Sequence, residues 1–215
     1  MLIEKNQRLV FIGDSVTDCG RARPVAEGLF NPLGTGYPNF VNALLNTRYP
    51  ERHIRVSNVG SSGNNARDLA ARWETDVIAL KPDWLSINIG INDVWRQFDV
   101  PYMPGASVFF DEYAETLERL VRETRPTAKG LILMTPHFLE PNREDPMRKT
   151  MDRYADFMRS LAPKYDCRLA DSQALFDKIL VHMHPAELAW DRIHPNQIGQ
   201  MLMARAFLDA IAFEW

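Results

Sequence analysis

Short apolar runs alternate with helical patterns along this chain, and this alternation limits the folds that the chain can adopt. Five runs favour strands, at 9–12, 54–57, 84–89, 130–134 and 167–170. Several of them are continuously apolar, as expected for strands that are covered on both faces. Between the runs, apolar residues recur at helical spacing over 37–49, 110–123, 147–162 and 197–211. Strands that alternate with helices predict parallel βαβ units, so we expect a doubly wound sheet with helices on both sides.

The length and the cysteine content predict one domain over residues 1–215 that needs no covalent or metal support. A chain of 215 residues can bury roughly 70% of the surface that it would expose when unfolded. Its two cysteines, Cys19 and Cys167, lie far apart and are too few for a disulfide framework or a zinc site of the CxxC type. We therefore expect neither a disulfide nor a metal to hold the core.

The charge balance and the hydropathy argue against nucleic acid and membrane partners. The chain has 25 Lys and Arg against 28 Asp and Glu, a net charge of -3, whereas nonspecific binding to phosphates needs a basic face. No apolar run reaches the roughly 18 residues that a membrane span requires. The first residues are charged, and the apolar stretch after them is too short for a signal peptide. A cytoplasmic enzyme with reduced thiols is expected.

Glycines and polar residues follow the predicted strands at the points where the strands end. They lie at 13–15, 58–64, 90–93 and 135–137, and a further group at 191–195 precedes the last helix. Ligands of open α/β sheets bind beyond the carboxyl ends of the strands. The sequence therefore predicts one site along this edge of the sheet.

Ser15 and His194 are the candidates for nucleophilic chemistry at that edge. A serine hydroxyl is a poor nucleophile until a neighbouring base takes its proton, and a histidine can serve as that base. Asp191 lies three residues before His194, so its carboxylate could hold one imidazole N–H and leave the other nitrogen free. The alternative is that Asp14 and Ser15 cap a helix, Asp191 caps the last helix and His194 is a turn residue.

Three groups could stabilise the negative oxygen that develops during acyl transfer. The backbone N–H groups of Gly63 and Ser15 and the side-chain amide of Asn92 all fall after predicted strands. Taken singly, Gly63 and Asn92 could equally be turn residues.

Four motifs occur in order: Gly-Asp-Ser at 13–15, Ser-Gly-Asn at 62–64, Gly-x-Asn-Asp at 90–93 and Asp-x-x-His-Pro at 191–195. From residue 11 to the last helix, the chain resembles the SGNH (GDSL-type) hydrolase family. The resemblance implies a flavodoxin-like three-layer α/β/α fold with a five-stranded parallel sheet, and ester hydrolysis without a cofactor. It also implies the roles of the matched residues: Ser15 as nucleophile, His194 as base, Asp191 as its orienting carboxylate, and Ser15, Gly63 and Asn92 as oxyanion donors. Val16 stands where the family often has leucine, and we expect it to pack behind the nucleophile.

A narrower resemblance concerns the substrate. The segments 11–21, 89–96 and 189–195 are similar to bacterial acetyl-xylan esterases of that family, which implies removal of acetyl groups from xylo-oligosaccharides and assembly into a homo-oligomer. The residues that flank the motifs suit sugars. Trp95 and Trp190 could stack on a pyranose, and Asn64 and Arg96 could meet its hydroxyls. Core packing or a subunit interface would also account for both tryptophans.

Two other functions stay open at this point. A carboxylesterase, lysophospholipase or thioesterase would use the same chemistry, but a long acyl chain needs an apolar channel whereas an acetyl group needs only a small pocket. A non-catalytic carbohydrate-binding protein could share the fold, although all five matched positions are present. His137 follows the fourth predicted strand and is left without a role.

Overall fold

The computed structural model describes residues 1–25, 29–103 and 105–215, and its centre is a parallel sheet of five strands. The strands lie in the order β2-β1-β3-β4-β5, the flavodoxin-like order of doubly wound sheets. β1 lies between β2 and β3, with Leu9 paired to both Val56 and Trp84. The expected fold class is therefore confirmed. The strand bounds are β1 Arg8–Gly13, β2 Arg55–Asn58, β3 Trp84–Asn88, β4 Gly130–Met134 and β5 Arg168–Ala170.

Helices cover both faces of this sheet. The four longer helical patterns are confirmed within two residues at each end, and four shorter helices lie between them. The helix bounds are α1 Ser15–Asp18, α2 Tyr37–Arg48, α3 Ala66–Ala71, α4 Ile91–Asp99, α5 Phe110–Thr124, α6 Pro146–Lys164, α7 Ser172–Ile179 and α8 Gln197–Ala210. None of the helices in the described residues is long and apolar enough to cross a membrane.

Alternate residues of β1 build two separate hydrophobic cores. Leu9 and Phe11 point to the face that α2, α7 and α8 cover, and Val10 and Ile12 point to the face that α3 to α6 cover. Successive side chains of a strand point to opposite faces, so a strand that is buried on both sides must be apolar throughout. The layered architecture therefore follows from the unbroken apolar run of β1.

Apolar periodicity did not predict the four shorter helices, although three of them, α1, α3 and α7, begin with a capping side chain. Asn65 and Asp68 form a capping box at the start of α3, and the Asp171 side chain accepts a hydrogen bond from Ala174 at the start of α7. These helices have four to nine residues, too few for an apolar period to be recognised. Three of them, α1, α3 and α4, follow the carboxyl ends of strands and carry or flank the motif residues.

Candidate active site

The fold brings the nucleophile candidate into contact with the histidine that lies 179 residues further along the chain. Ser15 begins α1 directly after β1, and its Oγ lies 2.9 Å from His194 Nε2. His194 Nδ1 lies 2.6 Å from one carboxylate oxygen of Asp191. The other Asp191 oxygen accepts hydrogen bonds from the backbone N–H groups of Ile193 and His194, at 2.9 and 2.8 Å. The carboxylate thus fixes both the imidazole and the loop that carries it.

This arrangement favours an ionised Asp191 beside His194. Partial burial acts to raise the pKa of Asp191, but the hydrogen bonds from the His194 side chain and from the backbone outweigh it and hold the pKa below its ordinary value. An ionised carboxylate accepts the Nδ1–H and leaves Nε2 as a proton acceptor toward Ser15. The geometry is that of a nucleophile, a base and an orienting group.

Asp14 rather than Ser15 caps the short helix α1. Its buried carboxylate accepts a hydrogen bond of 2.9 Å from the Val16 N–H, and burial raises the pKa of Asp14 to about 7. Val16 is buried as expected. The capping role proposed as an alternative for both residues therefore applies to Asp14, and the Ser15 hydroxyl is directed to His194.

The turn into α1 requires glycine at the end of β1. A Cβ atom at Gly13 would lie 2.3 Å from Thr17 Oγ1 and 2.4 Å from the Asn88 carbonyl oxygen. The Asn88 oxygen belongs to the backbone, so clearing that overlap would move the end of β3. The glycine thus lets the chain turn tightly enough to present Ser15 at the sheet edge.

The loop after β2, residues 59–65, lies directly beside this turn, because the Ser61 N–H donates to the Gly13 carbonyl at 2.9 Å. Gly63 adopts a φ of 83°, a conformation that favours glycine, and the position of its missing Cβ opens into space. Asn92, at the start of α4, is buried and donates one amide hydrogen to the Asn64 carbonyl at 2.9 Å. Among the described residues the Asn92 amide makes this one hydrogen bond, so its second hydrogen is available for another acceptor.

Two buried carboxylates that sequence reasoning missed hold this loop. Asp18 accepts hydrogen bonds from the backbone and side chain of Ser62 at 3.1 and 3.0 Å. Asp93 accepts from the Ala66 N–H at 2.9 Å, and burial raises the pKa of Asp93 to about 8. The two carboxylates join the loop to α1 and α4, so the backbone around Gly63 is fixed on both sides.

The four predicted sugar-contacting residues have different surroundings. Trp95 lies beside His194, with 6.0 Å between ring centroids, and the Arg96 guanidinium stacks on the Trp95 ring and pairs with Asp99. Trp190 is 91% exposed, which excludes the core-packing alternative for this residue. Asn64 uses its side-chain oxygen internally, as acceptor of a 2.6 Å hydrogen bond from Arg72.

Two further residues near the site are unsuited to act as base or nucleophile. His137 is buried against Phe176, and burial lowers its pKa to about 4, so the ring is neutral. Cys19 is half-buried. Burial raises the pKa of its thiol to about 11, so the thiol stays protonated.

A groove of about 380 Å³ adjoins the reactive pair. It is lined by Cys19, whose thiol contacts the Ser15 carbonyl, and by Pro195, which follows His194. The remaining lining residues are polar: Thr35, Asn196, Gln197 and Gln200.

Comparison with known proteins gives consistent matches over the whole chain. The family model for the GDSL-like lipase/acylhydrolase family matches residues 11–202. Acetylxylan esterase from Geobacillus stearothermophilus is 56% identical over 215 residues, which are 100% of this chain and 98% of that protein. The crystal structure of that esterase, Axe2, has a TM-score of 0.98 at the same coverage. LAE5, an alpha/beta hydrolase enzyme from the metagenome of Lake Arreo in Spain, is 54% identical with a TM-score of 0.96 over 99% of this chain and 98% of its own.

The solved structures of Axe2 include three variants described as catalytic mutants. Their substitutions are S15A, D191A and H194A. This chain has residues of the same type at the same three numbers.

Proposed function

The chain belongs to the GDSL-like lipase/acylhydrolase family, and from this premise we propose that it is a serine esterase that removes acetyl groups from acetylated xylo-oligosaccharides. The observation that carries the proposal is the relay in which Ser15 Oγ lies 2.9 Å from His194 Nε2 and His194 Nδ1 lies 2.6 Å from Asp191. The acetylxylan esterase at 56% identity supports the choice of acetyl groups and xylan.

In the first step of the proposed reaction, His194 takes the proton of Ser15 while Ser15 Oγ attacks the acetyl carbonyl carbon. The backbone N–H groups of Ser15 and Gly63 and the amide of Asn92 donate to the oxygen that becomes negative. Asp191 stabilises the imidazolium that forms. The bond between the acetyl carbon and the sugar oxygen then breaks, and His194 gives its proton to that oxygen. The sugar leaves with a free hydroxyl, and the acetyl group stays on Ser15.

In the second step, water takes the place of the sugar. His194 removes a proton from the water, which attacks the acetyl carbonyl, and the same donors hold the oxyanion. Return of the proton to Ser15 releases acetate and restores the free enzyme. Because Asp191 and His194 have side chains that are 39% and 43% exposed, water and a bulky sugar can both reach the relay.

The surroundings of the relay support a sugar rather than a long acyl chain as the variable part of the substrate. Trp95 meets His194 edge to face and has the Arg96 guanidinium over its ring, so it offers an aromatic ring beside the proposed leaving group. We place Trp190, Arg96 and Asn64 in the same proposed sugar site, with Trp190 also suited to contact a neighbouring subunit.

Three broader features belong to the same proposal: one domain over residues 1–215, a homo-oligomer, and a cytoplasmic location. The single domain is supported by contact between the chain ends, since Leu2 N–H donates to the Ile211 carbonyl at 2.8 Å. The oligomer is supported by large exposed apolar side chains such as Trp190 and Trp215. Both cysteines are free thiols, which suits a reducing compartment.

Acetate release from acetylated xylo-oligosaccharides tests the proposed function. The wild-type protein should release acetate from them faster than from acetylated glucose or chitin oligosaccharides, and should hydrolyse p-nitrophenyl acetate faster than p-nitrophenyl octanoate. Ser15→Ala should release none while keeping its melting temperature. Preference for the octanoyl ester would instead favour a lipid-type acylhydrolase, and binding of the sugars without acetate release would favour a carbohydrate-binding protein.

A further inference from the structure

One arginine outside the matched motifs joins the nucleophile turn to the loop after β2. Arg72 lies immediately after α3, and its guanidinium donates to the carbonyl oxygens of Gly13 at 2.8 Å and Val59 at 2.6 Å. It also donates to the Asn64 side-chain oxygen at 2.6 Å and pairs with Asp76 at 2.7 Å. Four of its five N–H groups are thus used, and the side chain is 17% exposed.

The partners of Arg72 lie directly behind the groups that are proposed to bind the oxyanion. Gly13 precedes Asp14 and Ser15, so the Gly13 carbonyl fixes the direction in which the chain enters the nucleophile turn. Asn64 follows Gly63, and its own carbonyl accepts from Asn92. A line of hydrogen bonds therefore runs from Gly13 through Arg72 and Asn64 to Asn92.

We propose that Arg72 is a positioning residue for catalysis, which sets the three oxyanion donors relative to Ser15 without touching the substrate. The inference rests on the proposed esterase function. A misplacement of reacting groups by about 1 Å can cost about 100-fold in rate. Loss of the hydrogen bonds made by Arg72 should therefore lower kcat. Because Arg72 does not contact the sugar, KM should change little.

The planar shape of the guanidinium is as important here as its charge. An ammonium group has three donors around one point, whereas the guanidinium presents donors along a fixed fork that reaches three chain segments at once. Lysine at this position could keep the positive charge but could not hold Gly13, Val59 and Asn64 together. Arg72→Lys is therefore expected to recover only part of the lost rate.

The opposite end of the sheet offers a matched control. Arg125 lies just before β4, and its guanidinium donates to the carbonyl oxygens of Tyr165, Asp166 and Ala128 at 3.1 to 3.3 Å and pairs with the Asp166 carboxylate. Its side chain is 27% exposed. Arg125 thus joins several chain segments as Arg72 does, but at the amino-terminal ends of β4 and β5, away from Ser15.

Variants of Asn64 distinguish a positioning role of this side chain from the sugar-binding role proposed above. Because its oxygen accepts from Arg72, Asn64→Ala should lower kcat even for p-nitrophenyl acetate, which contains no sugar. Asn64→Asp keeps the acceptor oxygen and should recover most of that loss. A residue that only binds sugar hydroxyls would instead change KM for acetylated xylo-oligosaccharides and leave p-nitrophenyl acetate hydrolysis unchanged.

The test compares kcat, KM and melting temperature of wild type, Arg72→Ala, Arg72→Lys, Arg125→Ala and the two Asn64 variants on p-nitrophenyl acetate, below every melting temperature. We expect kcat of Arg72→Ala to fall about 10- to 100-fold with KM within about threefold. Arg125→Ala should melt lower than wild type and keep its kcat. If Arg72→Ala does not fold, kcat and KM of Arg72→Lys and Asn64→Ala are compared with those of wild type and Arg125→Ala instead.

The inference is overturned if Arg72→Ala keeps kcat within twofold of wild type, if its loss lies in KM alone, or if Arg125→Ala loses kcat to the same extent. Failure of the esterase proposal has a different signature. In that case the wild-type protein does not hydrolyse the ester at all, or Ser15→Ala hydrolyses it equally well.

Discussion

The buried polar groups at the two ends of the parallel sheet differ in their hydrogen bonding and in their pKa values. At the amino-terminal ends of the strands, the buried Gln7 accepts hydrogen bonds from Trp84 Nε1 at 2.8 Å and from the Glu4 N–H at 2.9 Å, and donates to the Glu4 carboxylate. At the carboxyl-terminal ends, burial shifts the pKa of Asp14 to about 7, of Asp93 to about 8 and of His137 to about 4. One oxygen of Asp93 is buried without a hydrogen-bond partner in the described part of the chain.

This difference separates groups that stabilise the fold from groups that serve the proposed reaction. Paired polar groups stabilise a structure, whereas buried ionisable groups with shifted pKa values are costly and collect at functional sites. Substitutions at the carboxyl-terminal end should therefore change rate or pH dependence, and substitutions at the amino-terminal end should change stability alone. The following expectations test that division.

The largest effect is expected from removal of the base. His194→Ala should lower kcat by at least about 10⁴-fold, because Ser15 then has no proton acceptor. The rate of p-nitrophenyl acetate hydrolysis measures this loss. His182→Ala is the control, since His182 is exposed in another part of the chain and its loss should leave the rate unchanged. If His194→Ala keeps a tenth of the wild-type rate, His194 is not the base.

A smaller loss is expected from the amide of Asn92. Asn92→Ala removes one proposed oxyanion donor and the hydrogen bond to the Asn64 carbonyl, so kcat should fall by about 10²- to 10³-fold. Asn46→Ala provides a comparison, because the Asn46 amide donates to the backbone and side chain of Asn42 within α2. Equal rates for Asn92→Ala and wild type would remove Asn92 from the site.

The buried Asp93 should make stability depend on pH. Its pKa of about 8 in the folded protein lies above the ordinary value of 3.8, so the folded state keeps a proton that the unfolded chain releases. Its contribution to stability is thus fully present below about pH 4 and is lost as the pH rises through about 8. Asp93→Asn has no proton to lose, so its melting temperature should fall less than that of wild type between about pH 5.5 and about pH 8.

Thermal melting at several pH values measures this difference, at about 2–4 °C for each kcal/mol in a protein of this size. Asp111→Asn is the matched control, because the Asp111 side chain is 99% exposed and should follow wild type at every pH. Parallel curves for wild type and Asp93→Asn would mean that Asp93 is ionised in the folded protein at neutral pH.

The smallest effect on activity is expected at the amino-terminal end of the sheet. Gln7→Ala leaves the indole N–H of Trp84 without its acceptor in the core, which should cost about 1–3 kcal/mol of unfolding free energy. Urea unfolding measures this loss, and kcat should match that of wild type. If Gln7→Ala lowered kcat as much as Asn92→Ala, the two ends of the sheet would not differ in their effect on the reaction.

The motif residues were predictable because a strand end and its polar neighbours are adjacent in sequence. Gly13 and Ser15 follow the apolar run of β1 directly. The flavodoxin-like strand order, in contrast, was implied only by the family resemblance. The Asp191 and His194 pair was equally accessible, because three residues separate them. The contact between Ser15 and His194 followed only from the expectation that both lie at one sheet edge.

The residues that fix the site could not be predicted, since their partners are remote in sequence. Arg72 and Gly13 are 59 residues apart, Asp18 and Ser62 are 44 apart, and Asp93 and Ala66 are 27 apart. No local pattern distinguishes such an arginine or aspartate from one on a solvated helix face. The environment of Asn64 was missed for the same reason, as its oxygen meets Arg72 only after α3 has formed.

Covalent labelling with a fluorophosphonate tests the central claim most directly, because the reagent reacts only with a serine that a neighbouring base activates. Peptide mapping of the labelled wild-type protein should find one adduct, on Ser15, formed together with complete loss of p-nitrophenyl acetate hydrolysis. His194→Ala should label far more slowly than wild type, and His182→Ala at the wild-type rate. An unlabelled Ser15, an adduct at another residue that abolishes activity, or equal labelling of His194→Ala would contradict the account.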